Sequence, residues 1–323
     1  MSSSSSEPAG TAAGPAPAVP DGLGRVGTAM VTPFTTDGKL DLDGAQVLAN
    51  YLVDNGTDMV VVNGTTGESP TVYGEEPWDL LRAVKDAVGD RAIVMSGSGT
   101  NDTTRTVEAT RRAEAEGADA VLVVAPYYNR PDHRGMFTHF SSVAAATSLP
   151  VVIYDVPGRT AKPIEVRTML DLAPIENIVG VKDATGDLGK AGDLAFALSK
   201  MDETFAVWSG ADEINLSLLA MGAVGVISVA AHLVGPETAE MIEVFDTNPA
   251  RARELHIACM PVHRALFAEP SPTPLKGVLN LLGLPAGPVR PPLVDASNEA
   301  VTRLSTALEP VRTARALPQE VRA

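Results

Sequence analysis

From Val26 onward the chain alternates short apolar runs with segments of helical spacing. The runs cover 27–31, 59–62, 92–95, 120–124, 151–154, 178–182, 206–209 and 225–228. Each is too short for a helix and most are rich in β-branched residues, so they read as strands buried on both faces. Between them, helical spacing covers 43–55, 77–88, 103–117, 134–147, 163–172, 188–199, 213–221 and 236–245. Pro77, Pro163 and Pro236 stand where these helices open, and Gly56, Gly89, Gly117 and Gly222 where they close, as helix termini prefer. The beat of roughly 25–35 residues is that of a strand plus its crossover helix. Eight such units predict a (β/α)8 TIM barrel, an α/β fold whose chemistry sits at the carboxyl ends of its strands.

A doubly wound sheet binding a dinucleotide is the rival. It calls for a glycine fingerprint after the first strand, where this chain has Thr32, Pro33 and Phe34. Gly97-Ser98-Gly99 is the nearest alternative, but Asp102 stands in place of the third glycine. Additional C-terminal helices are expected over 249–267, 273–284 and 297–316, packed on the barrel or forming an oligomer surface. The expected division is a disordered extension over 1–24, a barrel over 25–245 and a C-terminal helical region over 246–323.

Composition narrows the partners. A net charge of −15 argues against a nucleic-acid footprint and fits a cytoplasmic protein acting on small molecules. The single Cys259 excludes an intramolecular disulfide, and its apolar setting, HIACMP, reads as a buried inert thiol. The Ser-, Ala- and Pro-rich start has no apolar core of a secretory signal and too little apolar surface to fold. No apolar stretch approaches the ~18 residues of a membrane-spanning helix.

Chemistry concentrates at the predicted strand ends. Of seven lysines, Lys182 alone closes an apolar strand. Burial disfavours an ammonium, and a neutral amine attacks a ketone to give a Schiff base; a lysine snorkelling to solvent is the ordinary alternative. The second strand leads into Asn63-Gly64-Thr65-Thr66-Gly67-Glu68-Ser69, where glycines free backbone N–H groups to hold a small carboxylate, with a phosphate cradle or a neutral turn as rivals. Three of the five tyrosines, Tyr127, Tyr128 and Tyr154, also lie at strand ends, and Arg159 follows in the loop after the fifth strand. A tyrosine there can pass protons, and an arginine can take a substrate carboxylate bidentately.

GTTGES at Gly64 to Ser69, PYYNRP at Pro126 to Pro131, YDVPGRT at Tyr154 to Thr160 and GVKDATG at Gly180 to Gly186 resemble the motifs of the pyruvate-dependent class I aldolase and N-acetylneuraminate lyase superfamily, and within it the dihydrodipicolinate synthase family. The resemblance runs in order from about Gly27 to Leu284, and takes in SGAD at Ser209, GVISV at Gly225 and LFAEPSPTPLK ending at Lys276. It implies a lyase of lysine and diaminopimelate biosynthesis that condenses pyruvate with L-aspartate 4-semialdehyde. Lys182 would form the imine, Tyr154 would relay protons with Thr65, and Tyr128 would complete the relay from a neighbouring subunit. Thr66 would sit against the pyruvate carboxylate, Arg159 would bind the semialdehyde, and Gly210 and Ile227 would line the pyruvate pocket. The implied assembly is a homotetramer, a dimer of dimers.

The iminium is itself the electron sink, so this chemistry needs neither metal nor cofactor. His133, His139, His232, His256 and His263 show no metal-binding spacing with a neighbouring acid and read as surface or packing residues. Two positions depart from the family pattern: Asp155 replaces the commoner asparagine and Gly158 a serine, which bears on the acceptor aldehyde. A sugar-acid aldolase is the alternative, and a non-catalytic keto-acid sensor a third reading. The resemblance also places Ser69, Asn101 and Tyr127 in an allosteric lysine cleft, with Arg105 where the family has an acid and Gly74 and Pro77 where histidines are common. A cation facing a cation is repulsive, so weak or absent lysine feedback is expected.

Overall fold

The computed structural model describes residues 18–316. Eight parallel strands close into a barrel in sequence order: β1 (Val26–Ala29), β2 (Met59–Val62), β3 (Ile93–Gly97), β4 (Ala120–Val124), β5 (Val151–Asp155), β6 (Ile178–Asp183), β7 (Ala206–Ser209) and β8 (Gly225–Ser228). Helices α1 (Leu42–Asp54), α2 (Glu76–Val88), α3 (Thr103–Ala115), α4 (His133–Ala144), α5 (Pro157–Thr160), α6 (Val166–Leu172), α7 (Leu188–Leu198), α8 (Asn215–Ala220) and α9 (Ala231–Val244) follow their strands. The chain ends with α10 (Pro249–Ala265), α11 (Thr273–Leu281) and α12 (Asn298–Ala316). The expected (β/α)8 TIM barrel with C-terminal helices is therefore the observed fold. No helix among the described residues is long and apolar enough to cross a membrane.

Strand alternation divides the core in two. Met59, Val61, Met95, Leu122, Val152, Tyr154, Trp208 and Ile227 fill the barrel interior. Their neighbours Val60, Val62, Val94, Val121, Val123, Ile153 and Val181 pack outward under the helices. Because both faces are buried, the strands read as continuous apolar runs. Aspartates at the loop-to-helix junctions fix the helix starts: Asp41, Asp102, Asp132 and Asp187 accept the N–H of Gly44, Arg105, Gly135 and Lys190, satisfying orphan donors of the first turn.

Three expectations shift. Pro163 does not open a helix: the Ile164 N–H donates to Asp155 Oδ1 at 3.1 Å, which holds this stretch against the end of β5, and helix resumes only at Val166. Pro236 lies inside α9, just past a kink at Val234 (φ −124°, ψ 38°). The expected boundary at residue 24 falls inside structured chain, since Val19 and Leu23 pack against the barrel interior and the Trp208 indole N–H donates to Gly24 O at 2.9 Å. Residues 1–17 of the expected extension lie outside the described residues.

The C-terminal helices pack on the barrel layer. Arg315 of α12 pairs with Glu237 of α9, and Cys259 is buried in α10 with its thiol pushed up to about 12 by desolvation. Four histidines are buried packing residues. His232 accepts the Val31 N–H through Nε2 at 3.2 Å and faces Val229 O through Nδ1 at 2.9 Å, which ties the end of β1 to that of β8.

Candidate active site

Tyr154 and Lys182 are register partners on β5 and β6, and both side chains point into the barrel. The Lys182 Nζ stands 4.4 Å from the centroid of the Tyr154 ring. Lys182 is 4% exposed, and among the described residues no carboxylate is within ion-pair reach of it. Desolvation therefore lowers its pKa from 10.5 to about 8, against the pull of the Asp212 carboxylate and with the help of the Arg159 guanidinium. Tyr154 is pushed the other way, up to about 12, by burial, while Arg159 and the Thr65 side chain favour the phenolate. The pair thus combines an amine that loses its proton near neutrality with a phenol that keeps its own.

Gly210 explains how the amine is shaped. A Cβ at this position would lie 2.8 Å from Lys182 Cγ and 2.9 Å from Cε, so only glycine lets β7 back onto the extended lysine side chain. The Gly210 N–H donates to Asp183 O at 2.7 Å, which pins that approach. Ile227 on β8 is fully buried in the barrel interior. Thr66 is buried and Thr65 half-buried in the loop after β2.

Arg159 sits on the single-turn α5, exposed and without an ion-pair partner among the described residues. It lines a cavity of about 350 Å3 that continues past Thr65 to Ser69, Pro77, Trp78 and Tyr127. Asn101 and Arg105 are not in its lining. A groove of about 730 Å3 between α7 and α8 is larger, but Leu194, Leu198, Leu218 and Met221 make it apolar, and it lies outside the barrel. Of the candidate residues the smaller cavity takes in Thr65 and Arg159, while Lys182 and Tyr154 are not in its lining.

Tyr128 is not brought to Lys182 within one chain. It is 89% exposed and held at φ 68°, with Arg130 at φ 48°, so a non-glycine backbone in the left-handed region projects a bare tyrosine from the loop after β4. Asp155 faces outward instead of beside Arg159, which corrects the expectation that it bears on the acceptor. Alternation along β5 sends it under α7, where it is fully buried and paired with Lys190. Its register partner Asp183 is buried beside it, and desolvation raises the Asp155 pKa against the opposing pull of Lys190.

Asp212 escaped the sequence reading as a site residue. Its carboxylate accepts Ser228 Oγ, the Asn215 side-chain amide and the N–H groups of Val229 and Ala230 at 3.0 and 2.9 Å, so it is committed to the β8 loop and reaches Lys182 through its charge alone.

The dihydrodipicolinate synthetase family model matches residues 22–311. The chain belongs to this family. Among curated relatives in the dihydrodipicolinate synthetase family, the 4-hydroxy-tetrahydrodipicolinate synthase of Moorella thermoacetica is 50% identical over 287 residues, 88% of this chain and 97% of the relative. That of Acidothermus cellulolyticus is 52% identical over 288 residues, 88% of this chain and 91% of the relative. The crystal structure of a dihydrodipicolinate synthase from Bacillus anthracis superposes with a TM-score of 0.85 at 42% identity, covering 92% of this chain and 99% of that one.

Proposed function

We propose that this member of the family is a Schiff-base lyase that condenses pyruvate with L-aspartate 4-semialdehyde to 4-hydroxy-tetrahydrodipicolinate. The observation that carries the reading is the buried, unpaired amine of Lys182 against Tyr154, at the carboxyl end of β6. The neutral Nζ adds to C2 of pyruvate, and loss of water from the carbinolamine leaves the iminium. Removal of a C3 proton then gives an enamine, whose C3 forms the new bond to the aldehyde carbon. The amine of the adduct attacks the same C2 and closes the ring as Lys182 leaves.

Tyr154 with Thr65 passes the protons of these steps, and the loop bearing Thr66 receives the pyruvate carboxylate. Gly210 and Ile227 shape the pyruvate pocket. Arg159, whose guanidinium is free to fork onto a carboxylate, receives the semialdehyde. We assign Tyr128 to the site of a second copy, in a homotetramer built as a dimer of dimers and working in the cytoplasm. Its 89% exposure on a strained loop supports that reading.

Initial rates of pyruvate consumption with the semialdehyde, N-acetylmannosamine and glyceraldehyde test the assignment, together with borohydride trapping. Turnover with the semialdehyde alone, lost in Lys182→Ala, is the expected result. Arg159→Ala is expected to raise the KM for the semialdehyde by about tenfold or more while sparing pyruvate, the scale of a lost charge-assisted hydrogen bond. Turnover with a sugar aldehyde instead would keep the imine and overturn the acceptor.

A further inference from the structure

Two motifs from opposite ends of the chain meet beneath the site. Glu68, in the loop that bears Thr65 and Thr66, and Lys276 of α11 are each 2% exposed at the side chain and pair at 2.7 Å. The amine and both carboxylate oxygens are engaged within the protein. The Lys276 Nζ also donates to Pro288 O at 2.7 Å and lies 4.3 Å from the Phe34 ring centroid. Glu68 Oε2 accepts the Arg290 N–H at 2.9 Å. Neither group is left to touch a substrate.

The pair is joined to the chemistry through the backbone. Glu68 is held at φ 57° and ψ 37°, a left-handed conformation that a glutamate adopts only when its surroundings impose it. From there its N–H donates to Thr65 O at 3.1 Å, and the Gly67 N–H to Gly64 O at 3.1 Å. Thr32 Oγ1 bonds Gly67 O at 2.6 Å. Arg290 fastens the far side of the loop through Thr71 O and Glu76. The path from α11 through Lys276, Glu68 and Thr65 therefore ends at Tyr154.

A buried ion pair is a poor source of net stability, because desolvation offsets its attraction, and apolar replacements often serve as well. Its use here is geometric. We infer that Glu68 and Lys276 are positioning residues for the keto-acid carboxylate: the ion pair fixes the loop that presents Thr65 and Thr66, and so sets pyruvate affinity without touching pyruvate. The inference rests on the Schiff-base reading above. It also separates the two buried lysines: burial lowers the pKa of both, but at Lys276 the Glu68 carboxylate at 2.7 Å opposes the shift and ties the amine into the structure, whereas Lys182 has no carboxylate within ion-pair reach among the described residues.

The test uses Lys276→Met, which strands Glu68, and Glu68→Gln, which keeps its shape. Both are compared with the full-length wild type by steady-state kinetics and by hydrogen–deuterium exchange of the peptide spanning 64–71. The expected result for Lys276→Met is a KM for pyruvate raised by about tenfold or more, the scale of a small misplacement of a binding group, with the KM for the semialdehyde unchanged. Faster exchange over 64–71, with the imine still trapped on Lys182 at saturating pyruvate, is expected alongside. Glu68→Gln is expected to follow in the same direction with a smaller change.

Folded variants with unchanged exchange and unchanged pyruvate KM would overturn the inference. So would a loss of activity that tracks only the folded fraction, or the failure of both variants to fold. If the wild type forms no imine with pyruvate, the functional reading fails, while the exchange measurement still decides whether the pair holds the loop.

Discussion

Replacing Lys182 by methionine should remove the imine and, at neutral pH, stabilise the fold. The two side chains are similar in reach, but methionine carries no charge to strip of water. Burial lowers the Lys182 pKa from 10.5 to about 8, so the folded chain binds this proton less tightly than the unfolded one. The penalty on stability is absent above the unfolded value, grows as pH falls through the interval between the two values, and is complete below the folded value. Integrated over that interval it amounts to about 3 kcal/mol at pH 7 and under about 1 kcal/mol at pH 10. The kinetic return is large: at pH 7 about one amine in ten is neutral, against about one in three thousand for an ordinary lysine. Urea denaturation of wild type and Lys182→Met at several pH values between these limits reads the first quantity. The rate of borohydride-trapped imine at saturating pyruvate, expected to climb through about pH 8, reads the second. Parallel stability curves for the two proteins, or imine formation flat across that range, would refute the argument that desolvation activates this amine.

Tyr154→Phe is expected to lower kcat by about a hundredfold or more, the usual scale of a lost proton relay. Because burial holds the phenol protonated, up to about 12, the inflection from Lys182 should remain in the variant's pH profile; its disappearance would contradict the assignment. Lys190→Met, which strands the fully buried Asp155, should cost about 3–5 kcal/mol in urea melts. Asp155→Asn should be near neutral, and the double variant should recover most of the loss; additive losses would refute the coupling. L-Lysine at micromolar concentration should leave the rate unchanged, since the family resemblance places Arg105 at the position of an acid; a micromolar inhibition constant would overturn this reading.

The barrel was legible because each strand is buried on both faces, which leaves an apolar run that no amphipathic helix imitates. Lys182 and Tyr154 were legible as candidates for a related reason, since each stands at the end of such a run, whereas the roles of Thr65 and Arg159, in the loops that follow, came from the family motifs. What stayed hidden depends on distance or parity. Lys276 falls in the expected helix over 273–284 beside a proline-rich stretch, and its partner lies 208 positions away, where no local periodicity can find it. Asp155 adjoins Tyr154 in sequence, yet alternation sends it to the opposite face of the sheet. Val19 and Leu23 are isolated apolar residues in a composition that otherwise lacks a core, so only their contact with Trp208 and its neighbours gives them meaning. The role assigned to Tyr128 needs a second molecule, which one sequence does not display.

The hydrogen bond from Trp208 to Gly24 makes the two mouths of the barrel unlike one another. One is stoppered by the turn that leads into β1, and the other is left open to the loops that carry the chemistry. Trimming the chain past Leu23 would pull the stopper and wet the indole. The practical boundary for shortening this protein accordingly lies before Val19, several residues ahead of the first strand.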